Sequence, residues 1–137
     1  MCSNVHLLSK FGAQIILCGP PELLPDYAAS LAPGVKVSRH IDEAARKADV
    51  IMMLRVQKER LAGLKLDVHN YIAQYQLTPE RLKLAKSDAL VMHPGPMVRG
   101  MEIQSEVADG TQSMIEEQVQ NGVYVRMAIL ASCLGVA

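Results

Sequence analysis

Three short, nearly unbroken apolar runs, Ala13 to Cys18, Val50 to Leu54 and Ala89 to Met92, limit what this chain can fold into more than any other feature. Apolar residues at consecutive positions suit a parallel strand covered on both faces, where neither side of the pleat meets water. Val35 to Val37, opened by Pro33-Gly34, is a weaker fourth strand placed nearer an edge. Helical patterns alternate with these runs. Asn4 to Lys10 stops at Gly12, Pro21 to Leu31 carries Pro25 in or near a first turn, and Asp42 to Ala48 is short and alanine-rich. Thr78-Pro79-Glu80 combines a capping hydroxyl, a proline at the first helical position and an acid favoured by the helix dipole. Ser113 with Glu116 has the spacing of a capping box, and Asn121-Gly122 interrupts the helical region before Val123 to Leu134. Strands alternating with helices mean an α/β fold, an open, mostly parallel sheet with helices on both faces. Residues 1–137 read as one domain or part of one, with no internal repeat, low-complexity tract or linker.

Fourteen basic residues balance fourteen acidic ones, and only five of the 137 residues are Tyr or Phe, with no Trp. Neither a basic footprint nor a stacking surface is present, so a nucleic-acid partner and a charged membrane surface are not expected. Cys2, Cys18 and Cys133 are odd in number and widely spaced, and the latter two lie in apolar stretches that suit small buried hydrophobes. Reduced thiols, and an N-terminus without the layout of a signal peptide, point to a soluble cytoplasmic protein. Met127 to Val136, the longest apolar segment, is far too short to span a bilayer.

In open α/β sheets ligands bind beyond the carboxyl ends of the strands. Two segments fall there. Arg55-Val56-Gln57 follows the second run and sets a guanidinium and an amide on alternate positions, so both point the same way while the chain stays extended. An arginine fork can hold a carboxylate at two points, and Glu59, four residues on, can orient it if a turn begins there. The plainer reading is a solvated loop of charges, and both stand. His93-Pro94-Gly95-Pro96 follows the third run. Its prolines remove two amide donors and leave the carbonyls of Pro94 and Gly95 to accept hydrogen bonds from an amine, while Gly95-Pro96 is a candidate cis peptide. A tight turn without chemistry is the plainer reading here. His93 is either a general base or, as is commoner for a lone histidine ending a strand, a hydrogen-bonded structural residue.

The other charged residues offer less. His6, His40 and His69 lack metal-ligand spacing, and Glu102, Glu106 and Asp109 read as solvated loop charge rather than a cation site. Arg126, in an apolar stretch, needs a partner or a path to solvent. No G-x-G-x-x-G follows a strand, and Cys18-Gly19-Pro20-Pro21 is poorly built to cradle phosphate, which counts against a dinucleotide site.

Four segments, LCGPPELLP, MMLRVQKER, LTPERLKLAKSDALVMHPGPMVRGMEIQSEVAD and EEQVQNGVYVRMAIL, together resemble the C-terminal, Rossmann-like aspartate-binding domain of the aspartate carbamoyltransferases, from about Ser3 to Gly135. The pair RVQKER and HPGP-x-x-RG is specific. Ornithine-type relatives usually carry a Cys-Leu-Pro turn and a Ser-Met-Gly loop, neither of which occurs here. The resemblance implies transfer of a carbamoyl group from carbamoyl phosphate to the amine of L-aspartate, giving N-carbamoyl-L-aspartate and phosphate in pyrimidine biosynthesis, without metal or organic cofactor. It implies that Arg55 and Gln57 hold the side-chain carboxylate of aspartate. The carbonyls of Pro94 and Gly95 receive the attacking amine, Glu59 positions the arginine, and His93 and Pro96 support the turn. It also implies a homotrimeric parent enzyme, with or without other pyrimidine-pathway subunits. The alternatives are a non-catalytic aspartate-binding or assembly module and a transcarbamylase acting on another amine.

Several family parts are not in this sequence. The carbamoyl-phosphate domain with its Ser-Thr-Arg-Thr loop is missing, as are the strand that opens the aspartate domain and the Gly-Asp…His-Ser-Arg segment whose arginine binds the α-carboxylate. Met1 and Cys2 stand where the family usually continues Ala-Arg. The expectation is therefore an N-terminally incomplete domain, inactive by itself. In the family the missing strand lies between those matching Ala13–Cys18 and Val50–Leu54, so a gap with two unpaired edges is expected there. The final helix, Tyr124 to Leu134, is expected to expose Ile129, Leu130 and Leu134.

Overall fold

A computed structural model describes residues 2–56 and 67–136. Helix α1 (Cys2–Lys10) is followed by strand β1 (Ile16–Cys18), a 3-10 helix (Asp26–Leu31), strand β2 (Lys36–Ser38), helix α2 (Ile41–Ala45) and strand β3 (Val50–Met52). Helices α3 (Val68–Tyr75) and α4 (Pro79–Leu82), strand β4 (Leu90–Met92), and helices α5 (Ser105–Ala108) and α6 (Ile115–Leu134) complete the order.

The four strands form two separate parallel pairs. β1 pairs with β2 in the register Leu17↔Val37, and β3 pairs with β4 in the register Ile51↔Val91. The break between β1 and β3 falls where the resemblance placed an absent neighbour. β4 is bound on both sides, because Val91 N–H donates to Gln112 O at 2.8 Å and Met114 N–H donates to Val91 O at 2.8 Å.

Covering on both faces, expected for the three apolar runs, is not what the structure has. Ile16, Val50 and Leu90 are 46 %, 47 % and 40 % exposed, whereas Val91 is fully buried. The paired residues Ile51 and Val91 face a cluster with Leu77, Ile103, Val107, Ala108 and Ile115, while the register neighbours Val50 and Leu90 face the opposite side of the pleat. The cysteines follow the same logic. All three are free and exposed rather than buried, Cys18 on the open side of β1 and Cys133 on α6. Enough protein still surrounds Cys18 for burial to push its thiol up to about 11, against the opposing charge of Arg39.

Local chemistry explains where the helices differ from expectation. The segment 21–31 is not one α-helix: Leu23 and Leu24 N–H both donate to Pro20 O, and regular structure starts only at Asp26, after Pro25. Proline inside an α-helix lacks the donor for the i−4 carbonyl and clashes with it, so the chain turns and then winds as 3-10 helix. α2 ends at Ala45, three residues early, and Lys47 takes a positive φ of 59° with its N–H donated to Leu84 O at 3.0 Å. Thr78 caps α4 through Arg81 N–H at 3.3 Å, with Pro79 at the first helical position, as expected.

Ser113 does not cap α6. It is held in an extended bridge to Val91, the helix begins at Ile115, and Met114 precedes it without a side-chain cap. Nor does Asn121-Gly122 interrupt: α6 runs unbroken from Ile115 to a left-handed Gly135. One helical glycine costs only about 1 kcal/mol relative to alanine, which a helix of this length tolerates. Ile129, Leu130 and Leu134 are 56 %, 62 % and 74 % exposed, as expected, and Arg126 is exposed, so solvent meets its charge.

Helix α3 adds an element beyond the alternation expected above, and its signal is in the sequence. Val68, Tyr71, Ile72 and Tyr75 recur at helical spacing, and the Asp67 carboxylate accepts from His69 N–H at 2.9 Å and Asn70 N–H at 3.3 Å. Tyr71 and Tyr75, stacked with centroids 5.6 Å apart, form a second cluster with Val56 and Met101. A third, Val5 with Ala32 and Val35, holds α1 against the β1–β2 side.

Candidate functional site

The β3–β4 register sets both candidate segments at one edge. Met52 pairs with Met92, and Met53 N–H donates to Met92 O at 2.9 Å, so the chain leaves β3 through Arg55 and leaves β4 through His93 side by side. Val56 is buried in the cluster with Tyr71, Tyr75 and Met101, whereas Arg55 is exposed. An extended backbone alternates its side chains, so anchoring Val56 inward turns Arg55 outward. Gln57 and Glu59 lie outside the described residues.

The turn after β4 ties its amide donors inward. His93 N–H donates to Gln118 Oε1 on α6 at 2.9 Å, Gly95 N–H to His93 Nδ1 at 2.9 Å, and Val98 N–H to Glu102 Oε1 at 2.6 Å. Pro94 and Pro96 have no N–H to place. The Gly95-Pro96 bond is cis, and Gly95 has φ 66°, a left-handed conformation that L side chains seldom adopt. A Cβ there would stand 3.5 Å from Val119 on α6. No hydrogen bond among the described residues ends on the carbonyl oxygens of Pro94, Gly95 or Pro96, and both prolines are exposed. Among the described residues, the turn thus spends its donors on the protein while its acceptors take no donor.

His93 is fully buried, which removes it from contact with a ligand at this edge. Because Nδ1 accepts from Gly95, the ring N–H is at Nε2, which lies 3.3 Å from Glu102 Oε1 without the alignment of a hydrogen bond. Glu102 is not the solvated loop charge expected: it is fully buried between Met101 and Ile103. Burial acts to raise its pKa, but His93 and the Val98 N–H together outweigh it and hold the carboxyl below its ordinary value. Its apolar sequence neighbours were the available signal. Asp109 does carry exposed charge and takes both nitrogens of Arg99 at 2.7 Å, while Glu106 is exposed.

An open cleft of about 730 Å³ lies between Met97, Arg99, Asp109, Glu116, Glu117 and Tyr124. Its walls come from the loops around Arg99 and Asp109 and from the first turns of α6, and Arg55 does not line it. Among the described residues no cluster of His, Cys, Asp or Glu could hold a metal ion, and no helix is long and apolar enough to cross a membrane.

Known proteins match this chain over most of its length. The family model of the aspartate/ornithine carbamoyltransferase Asp/Orn-binding domain matches residues 1–133. The aspartate carbamoyltransferase catalytic subunit of Koribacter versatilis is 61 % identical over 96 % of this chain and 44 % of its own length. That of Solibacter usitatus is 55 % identical over 97 % of this chain and 44 % of its own. Among solved structures, the aspartate transcarbamoylase of Trypanosoma cruzi with carbamoyl aspartate and phosphate superposes with a TM-score of 0.74 at 30 % identity, over 94 % of this chain and 43 % of that one. The ornithine carbamoyltransferase of Gloeobacter violaceus gives 0.75 at 29 % identity, over 95 % and 46 %. The chain therefore spans less than half the length of the curated relatives it matches. With its strand register, its paired loops and a match over nearly every residue, this chain belongs to the aspartate/ornithine carbamoyltransferase family, as its Asp/Orn-binding domain.

Proposed function

We propose that this chain supplies the aspartate-binding half of an aspartate carbamoyltransferase. The observation that carries the proposal is the single edge shared by exposed Arg55 and by the Pro94–Pro96 turn, whose carbonyls take no donor among the described residues. Arg55 and Gln57 hold the side-chain carboxylate of L-aspartate, and Glu59 orients the arginine. The carbonyl oxygens of Pro94 and Gly95 accept hydrogen bonds from the α-amine and direct its lone pair at the carbamoyl carbon. A C–N bond forms, the C–O bond to phosphate breaks, and phosphate leaves with the electron pair while the amine gives up a proton. Positioning accounts for this half's share of the rate, since an oriented amine reacts as if at very high local concentration.

The α-carboxylate and carbamoyl phosphate are bound by parts of the complete enzyme beyond this segment, so the chain by itself does not turn over. The family resemblance also supports a homotrimeric, cytoplasmic enzyme in pyrimidine biosynthesis. Carbamoyl-aspartate formation by a full-length catalytic chain containing this sequence is the test. Arg55→Ala is expected to raise the KM for aspartate about 10- to 100-fold, the worth of a charged hydrogen-bonded pair. Unchanged aspartate kinetics in that variant, or turnover by residues 1–137 alone abolished by it, would overturn the proposal.

A further inference from the structure

We infer that Gln76 is a positioning residue that holds the two aspartate-contacting segments in register; the inference rests on the site reading above. Gln76 is 5 % exposed, at the C-terminal cap of α3, and its side chain is spent on the loop after β4. Its Nε2 donates to Gly100 O at 2.6 Å and Met101 O at 3.2 Å, and its Oε1 accepts from Gln104 Nε2 at 3.1 Å. The adjoining backbone adds a bridge, with Leu77 N–H on Glu102 O at 2.9 Å and Gln104 N–H on Leu77 O at 3.1 Å. Arg81 fixes the same corner from outside, donating to Gln76 O and Ala73 O at 2.7 Å each and pairing with Asp42.

The loop that Gln76 grips leads to both halves of the site. Met101 packs against Val56, whose chain neighbour is Arg55. Met101 N–H also closes on Val98 O at 3.1 Å, and Val98 N–H is held by Glu102 at the start of the stretch that follows Pro94–Pro96. A shift of the 98–102 loop would displace Arg55 and the Pro94 and Gly95 carbonyls together, and one amide buried among three partners resists that shift. A leucine has nearly the volume of this glutamine and none of its hydrogen bonds.

The experiment measures steady-state kinetics and thermal unfolding of Gln76→Leu in a full-length catalytic chain containing this sequence. Gln112→Leu serves as the control: Gln112 Nε2 donates to Ala89 O at 2.8 Å, a similar cross-link at the opposite end of β4. The expected result is a 3- to 10-fold higher aspartate KM for Gln76→Leu, with kcat and the KM for carbamoyl phosphate within twofold. Gln112→Leu is expected to lower the Tm with aspartate KM unchanged. Equal kinetic changes in the two variants, or none in Gln76→Leu, would reduce Gln76 to a structural cross-link and overturn the inference. Should Gln76→Leu fail to fold, Gln104→Leu decides, because it frees Gln76 Oε1 without removing the glutamine; a selective rise in aspartate KM supports the inference, and its absence overturns it. Arg55→Ala separates the two readings: if it leaves aspartate kinetics unchanged the site reading fails, whereas a change there with a silent Gln76→Leu sinks only this inference.

Discussion

His93 and Glu102 show at the scale of single residues how polar groups can shape a turn without touching a ligand. Each is fully buried, and between them they take the N–H groups of Gly95 and Val98, while no donor among the described residues reaches the carbonyls of Pro94, Gly95 or Pro96. A buried carboxylate is costly unless it is compensated, and here the Val98 N–H and the nearby His93 ring depress its pKa despite desolvation, while Oε2 has no hydrogen-bond partner among the described residues. The sign follows from linkage. With a folded value below the unfolded one, about 4.3, the stability is fully present above that pH and is lost as pH falls through the folded value. The denaturant midpoint is therefore expected to drop in that acid window. Glu102→Gln, which still accepts from Val98, is expected to flatten the drop relative to the parent, although the exposed Arg99–Asp109 pair remains in both. Equal slopes for parent and variant would contradict the assignment. Burial of Glu102 was readable from its apolar flanks. Its partnership with His93 was not, because a loop of this length can fold back in many ways.

At the scale of elements, α6 is the case where local propensity misleads. Asn121-Gly122 reads as a break, yet the helix continues through it. The first turns are anchored by contacts that Ile115, Gln118 and Val119 make with β4 and the turn after it, and a helix already nucleated extends cheaply through one poor residue. Gly122 has room for a side chain, since a Cβ would lie 3.6 Å from Arg126 Nη1 and no closer to anything else. Gly122→Ala is accordingly expected to stabilise the protein by about 0.5–1 kcal/mol, read as an increase in the urea midpoint. A decrease would mean that the glycine meets a constraint beyond the helix itself. α3 teaches the converse. Its apolar residues recur at the helical period and its Asp67 cap is in the sequence, so local pattern alone specifies it.

For the whole molecule, two parallel strand pairs with separate clusters predict divided stability. Val5, Ala32 and Val35 support the β1–β2 side, while the cluster around Val91 and Ile103 supports β3 and β4. Without ladder hydrogen bonds from β1 to β3, the two sides are joined mainly through α2, by Arg81 on Asp42 and Lys47 N–H on Leu84 O, so a loss on one side is damped before it reaches the other. Val5→Ala is expected to cost about 1–2 kcal/mol, the buried methyls plus a small cavity. Amide exchange should accelerate at β1 and β2 while Val91 and Met114 keep their protection. Equal acceleration at both sites would show that the two sides unfold as one unit. The exposed apolar residues of α6 and the open faces at Ile16, Val50 and Leu90 belong to the same scale: they fit a domain that matches less than half of its relatives' length.

The sequence by itself determined the alternation of strands and helices, the parallel class, and the two segments at the carboxyl edge, because these follow from apolar periodicity and from where polar and proline-rich stretches interrupt it. It also determined the family, through RVQKER and HPGP-x-x-RG in order over nearly the whole chain. Only the tertiary structure decided which apolar residues are covered, since a strand face is buried by what packs on it and not by its own composition. The same holds for the anchoring of His93 N–H on Gln118 and for the reach of Gln76 to Gly100 and Met101, contacts between residues far apart in the chain that no local pattern encodes.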